Sequence, residues 1–142
     1  VAELETILAS DLALDPCHVG ELNQVILNLI INSVHAIAQA AKQRPDTKGK
    51  ITIRTTQDRD WTTISVQDTG SGIPVEIRSR IFEPFFTTKE VGKGTGQGLA
   101  LAHNATVQKH GGRLWFESEI GSGTTFYIQL PTATKVQECR NE

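Results

Sequence analysis

The sequence predicts a two-layer α/β sandwich, in which a mixed, largely antiparallel sheet is backed by helices on one side. Three observations predict it. Two stretches carry apolar residues at helical spacing, so each has one face to bury. Two β-branched, alternating segments joined by a short polar turn read as one antiparallel hairpin, and two further segments around a glycine turn read as a second. Strands adjacent in sequence pair most often, which leaves both helices to share one face of the resulting sheet.

Within residues 1–15, Leu4, Ile7 and Leu8 belong to an edge segment that is either a strand or a short helix. After Pro16, Glu21 to Ala41 is the strongest helix: Leu22, Val25, Ile26, Leu29, Ile30, Val34 and Ile37 form a broad apolar face. Arg44-Pro45-Asp46 ends it. Ile51 to Thr56 and Thr62 to Gln67 make the first hairpin, turning through Gln57 to Asp60. Pro74 to Ile81 is a short helix with Pro74 in its first turn. From Phe82 to Gln97 no period holds, and so long an aperiodic stretch is usually functional. Leu99 to His110 returns to helix and stops at Gly111-Gly112. Arg113 to Glu119 and Thr124 to Leu130 make the second hairpin, around Gly121-Ser122-Gly123. The organisation is one domain over 16–131, with the edge segment before it and a polar tail, 132–142, after it.

Composition removes several classes of function. A net charge of −2 with no basic cluster gives no electrostatic footprint for nucleic acid. The longest apolar run, Val25 to Ile31, is interrupted by Asn28 and falls short of the ~20 residues of a membrane span. No direct membrane contact is expected. Cys17 and Cys139 are too few for a disulfide framework or a zinc site and read as reduced, cytosolic thiols. The chain opens Val1-Ala2-Glu3 with no signal-peptide pattern and reads as a domain of a longer, cytoplasmic protein or protein region.

The chemistry sits in glycine clusters and one helix. Seven of the twelve glycines fall in Asp68-Thr69-Gly70-Ser71-Gly72, Gly94-Thr95-Gly96-Gln97-Gly98 and Gly121-Ser122-Gly123. Glycine lets backbone approach a ligand, so ordered clusters suggest loops moulded on phosphate or a base. Asn28 and Asn32 project from one helix face a turn apart, among apolar neighbours. Either they bridge core polar groups, or Asn32 gives its carbonyl oxygen to a hard cation such as magnesium. His35 faces the same phosphates or is a plain surface histidine. Asp68 ends a strand, where it either closes a tight turn or accepts from the exocyclic amine of a base. Gly94 to Gly98 precedes the Leu99 helix, whose first amides and dipole suit an anion. Lys89 and Lys93 either screen phosphate charge or are solvated. Neither the Rossmann nor the Walker A pattern is present.

Taken together, these residues resemble the ATP-binding catalytic domain of sensor histidine kinases, within the Bergerat superfamily shared with gyrase, MutL and a heat-shock chaperone. The resemblance covers roughly Pro16 to Pro131. Gln24 to Ala36 resembles the N box, Asp68 to Gly72 the G1 box, Phe82 to Lys89 the F box and Gly94 to Leu99 the G2 box; Gly121 to Phe126 is similar to the G3 element. It implies a Bergerat fold in which Asn32 binds Mg2+, Asn28 holds phosphates and Asp68 recognises the adenine amine. Gly70, Gly72 and Ile73 line the base, and Thr125 supports Asp68. His35, Lys89, Gly94, Thr95, Gly96, Gln97, Gly98 and Leu99 surround the phosphates, and 81–98 is a lid. Gln97 stands where leucine is usual and Ser33 where alanine is usual. Neither departure removes an implied ligand; the expected consequence is altered lid packing.

Superfamily members that hydrolyse ATP carry a glutamate one turn before the magnesium asparagine. That position here is Asn28, and an amide is no general base. None of His18, His35, His103 and His110 sits in an H-box pattern. The resemblance therefore implies an acceptor histidine and its base on a dimerisation domain outside this chain, and a response regulator downstream. The alternatives are a nucleotide sensor without catalysis and, after it, a superfamily ATPase.

Overall fold

The computed structural model describes residues 2–7, 19–42, 48–58, 60–83, 98–109 and 111–131. Their strands form one five-stranded sheet: β1 (Ala2–Ile7), β2 (Gly49–Gln57), β3 (Trp61–Asp68), β4 (Arg113–Glu119) and β5 (Gly123–Pro131), in the order β1-β2-β3-β5-β4. β1 runs parallel to β2, and the remaining neighbours are antiparallel. The undecided first segment is thus a strand. Its parallel pairing requires a long crossover, which α1 (Val19–Ala41) supplies.

α1 lays Val25, Leu29 and Ile37 on the sheet, against Ile51, Ile53, Ile64, Val66, Phe126 and Ile128. Its other side leaves Leu27, Ile31 and Val34 exposed. Averaged over Asn23–Ala41, the helix has a mean hydropathy of 1.3, long and apolar enough to cross a membrane by length and composition. A seven-residue run fails that test, whereas a helix-long average tolerates its isolated amides. Here α1 packs as the core helix of the sandwich.

Val75–Arg80 is a 3-10 helix with no buried residue, and Pro74 precedes it with an extended ψ of 138° instead of entering its first turn. α2 (Gly98–His103) runs on into a π-helical segment, Asn104–Lys109. Ala102 and Thr106 are buried on it. The chain then reverses: Gly111 takes a φ of +65°, which glycine tolerates, and the Gly112 amide donates to the Thr106 carbonyl at 2.9 Å. Both helices lie on the same face of the sheet, as the sequence predicts.

Candidate functional site

On the helix-facing side of the sheet, cross-strand partners line up in rows. Thr55, Ile64, Ile128 and Leu114 form one row; Ile53, Val66, Phe126 and Phe116 form the next. The row after that reads Ile51, Asp68, Thr124, Ser118. Period-2 alternation thus carries the core face straight into three polar side chains at the sheet end. They need partners, and they have them.

Asp68 is 3% exposed. Its Oδ1 accepts from the Gly70 amide at 2.9 Å and from the Thr124 amide at 3.3 Å. No hydrogen bond to its Oδ2 forms among the described residues. Burial pushes its pKa above the usual carboxylate value of 3.8; the two amides and the nearby Ser33 hydroxyl oppose that shift. Ser33 comes close enough to favour the charged form without completing a well-formed hydrogen bond.

The polar row is tied to the loop that follows β3. Ser118 Oγ lies 2.8 Å from Thr124 Oγ1 and accepts from the Ile73 amide at 2.7 Å. Arg78 donates from Nε to the Ile73 carbonyl and from a terminal nitrogen to the Ser118 carbonyl, both at 3.0 Å. The Gly121 amide donates to the Ser71 carbonyl at 2.9 Å. Gly72 has a φ of +81°, and a Cβ there would stand 2.5 Å from the Glu119 carbonyl oxygen. On the opposite side the Ser71 amide donates to the Ala36 carbonyl of α1 at 3.3 Å. The Gly70–Ile73 loop is therefore clamped between helix and hairpin.

The structure brings Asp68, Gly70, Gly72 and Ile73 together as the sequence suggests, but it corrects Thr125. The register sets Thr124 opposite Asp68, while Thr125 pairs with Gln67 and Glu117. Because alternate strand residues face opposite ways, Thr125 lies on the side away from Asp68. The signal was available: Phe126, Ile128 and Leu130 are apolar, and Thr124 shares their parity. Ser118 and Arg78 were missed because each is defined by a partner about forty residues away.

On α1, Asn28 and Asn32 are both half-buried. Gln24 Nε2 donates to Asn28 Oδ1 at 3.2 Å, and no hydrogen bond among the described residues engages the Asn32 side chain. An amide oxygen left in this way fits a single protein ligand to magnesium, which binds few protein groups besides phosphates. His35 is exposed on the same helix. Gly98 opens α2, and Leu99 packs against the core. Lys89, Gly94, Thr95, Gly96 and Gln97 lie outside the described residues, as does 84–97 of the expected lid. At the start of that segment Ile81 is buried, and Phe82 packs against His103 with the rings tilted by 30° and meets Phe116 edge-on, with centroids 5.0 and 6.0 Å apart.

A cleft of about 290 Å³ opens around the Asp68–Thr124–Ser118 row. A larger one, about 500 Å³, runs past Val107 and Trp115, but Arg113 is its only charged side chain among the described residues. The smaller cleft holds the chemistry. A buried carboxylate in a glycine loop, facing a helix that carries two amides, defines an α/β nucleotide-binding domain.

The chain belongs to the histidine kinase-, DNA gyrase B- and HSP90-like ATPase family, whose model matches residues 18–134. It is 40% identical over 119 residues to the sensor kinase CckA of Brucella abortus, covering 79% of this chain and 12% of that protein. It is 41% identical over 110 residues to the sensor histidine kinase ZraS of Escherichia coli, covering 78% of this chain and 21% of ZraS. The chain thus spans a small part of these relatives. Among solved structures, the nucleotide-free catalytic domain of histidine kinase ThkA superposes with a TM-score of 0.71 at 28% identity, over 92% of this chain and 80% of that one. Full-length ShkA in complex with AMPPNP gives 0.76 at 29% identity, over 94% of this chain and 26% of ShkA.

Proposed function

We propose that this domain binds Mg-ATP and donates the γ-phosphoryl group to a histidine on a dimerisation and phosphoacceptor domain outside this chain, as one step of two-component signalling. The observation that carries the reading is the Asp68 carboxylate. One of its oxygens is fixed by two amides, and the other is left to accept a hydrogen bond at the end of a polar row.

Asp68 takes the adenine amine, Gly70 and Gly72 let the base approach the backbone, and Thr124 and Ser118 hold the carboxylate and loop in place. Asn32 and Asn28 face the phosphates from α1, with Asn32 as the magnesium ligand. Bound magnesium neutralises charge on the phosphates. The chain's remaining contribution is orientation, which is most of phosphoryl-transfer catalysis. His35, Lys89 and the Gly94–Leu99 loop complete the phosphate end, and 81–98 closes over it. The amide at Asn28 disfavours hydrolysis, since it cannot activate water. The proposed setting is cytoplasmic, with a response regulator as the final acceptor.

Calorimetric titration with ADP and ATP tests the binding half; folded protein that gives no heat at millimolar nucleotide ends the proposal. Mixing the domain with a separate H-box domain and γ-labelled ATP tests the transfer half. Labelled phosphohistidine is the expected product. Binding without it leaves the domain as a nucleotide sensor, and steady phosphate release by the domain alone points to an ATPase.

A further inference from the structure

The turn of α1 before Asn28 carries Gln24, an exposed residue. Its Nε2 donates to Asn28 Oδ1 at 3.2 Å, across the one-turn spacing at which helix side chains are neighbours. Ala36, Asn32, Asn28 and Gln24 thus follow at four-residue steps, leading away from the Gly70–Ser71 loop that Ala36 meets. At the rise of an α-helix, Gln24 stands about 18 Å along the axis from Ala36. It belongs to the phosphate end of the proposed site and not to the base end.

A carboxamide has two unlike ends: its oxygen accepts and its amino group donates. Ionised phosphate oxygens only accept, so an asparagine holds them through its amino end alone. Turned over, the same side chain sets its carbonyl oxygen against their negative charge. The bond from Gln24 decides between the two, because it engages Asn28 at the carbonyl oxygen and leaves the amino end as the donor. We propose that Gln24 is a positioning residue for nucleotide binding: it holds the Asn28 carboxamide with its amino end presented to the phosphates. This inference rests on the reading of Asn28 as a phosphate-binding residue. The competing role is that of a surface pair that supports the helix and nothing more, as Gln–Asn pairs at this spacing do.

The test is a double-mutant cycle of wild type, Gln24→Met, Asn28→Ala and the double variant, titrated calorimetrically with ADP and magnesium. Methionine keeps the length and helix propensity of glutamine and has no amide. Gln24→Met is expected to weaken ADP binding about fivefold, the net scale of one hydrogen bond. In the Asn28→Ala background the same substitution should cost nothing, since the side chain it orients has gone. Adenosine, followed by NMR titration, should bind all four proteins alike, because it has the base without the phosphates. A helix-supporting role would instead show as a lower melting temperature with ADP affinity unchanged. A Gln24→Met loss that is absent, shared by adenosine, or undiminished without the Asn28 amide overturns the positioning role. An Asn28→Ala protein that binds ADP as wild type does overturns the phosphate reading of Asn28, and this role with it. Failure of wild-type protein to bind ADP overturns the nucleotide reading beneath both.

Discussion

Gly70 and Ala36 touch so closely that a Cβ on Gly70 would stand 2.6 Å from the Ala36 methyl and 2.7 Å from its carbonyl carbon. The loop that fixes Asp68 is thus seated directly on α1, with no room for a side chain between them. Gly70→Ala is expected to cost about 1–3 kcal/mol of stability, the usual penalty of overpacking. It also displaces the Gly70 amide from Asp68 and weakens ADP binding. Adding Ala36→Gly removes the methyl contact but leaves the backbone contact, so the double variant recovers only part of the loss. Chemical denaturation of the four proteins measures both terms.

Asp68 sits where its charge is disfavoured, so stability and binding pull in opposite directions. Its folded-state pKa is raised above 3.8 mainly by burial. The folded state then holds its proton to higher pH than the unfolded chain, and this residue's contribution to stability declines as pH rises from the unfolded value through the folded one. Asp68→Asn keeps an oxygen for the Gly70 and Thr124 amides while removing the buried charge. It is expected to raise the melting temperature at neutral pH and to abolish ADP binding. In wild type, affinity for ADP should begin to fall on acidification at a higher pH than an ordinary aspartate dictates, since the amine needs the ionised carboxylate.

Asn32→Ala tests the metal assignment separately from the base. The half-buried amide gives its oxygen to magnesium in the proposed complex, so the variant should bind ADP at least about tenfold more weakly with magnesium present. In chelator the two proteins should bind alike. Equal loss in both conditions would assign Asn32 to the phosphates and not to the metal.

Arg78 joins the carbonyls of Ile73 and Ser118, which no other described side chain does. Arg78→Ala removes two charge-assisted hydrogen bonds from a partly exposed site and is expected to cost about 1–2 kcal/mol. Arg78→Lys, with one compact ammonium in place of a planar fork, should restore less than half of that. Thermal unfolding followed by circular dichroism reads the difference.

The fold was legible because its elements are locally encoded. Alternation marks β2 and β3, the glycine turn at Gly121–Gly123 marks the hairpin of β4 and β5, and spacing marks α1 without knowledge of partners. β1 was ambiguous because six residues carry too little period, and only pairing with β2 decides it. In the site, Asp68 and its glycines were readable as a cluster. Thr124 was readable in principle, from the parity of Phe126 and Ile128, but the neighbouring Thr125 obscured it. Arg78 and Ser118 carry no local signature at all, since their roles exist only once β4 closes on the loop after β3.

The network that runs from Gly70 through Asp68, Thr124 and Ser118 to Ile73 and Arg78 has one further consequence for exchange with solvent. The amides of Gly70, Ile73 and Thr124 all donate into it, so none can open without disturbing the others. In deuterium they should exchange together, at a common opening free energy, although they lie in three different segments of the chain. If nucleotide binds at Asp68 as proposed, it should slow all three in step. The loop after β3 and the β4–β5 hairpin are then expected to open as a single unit.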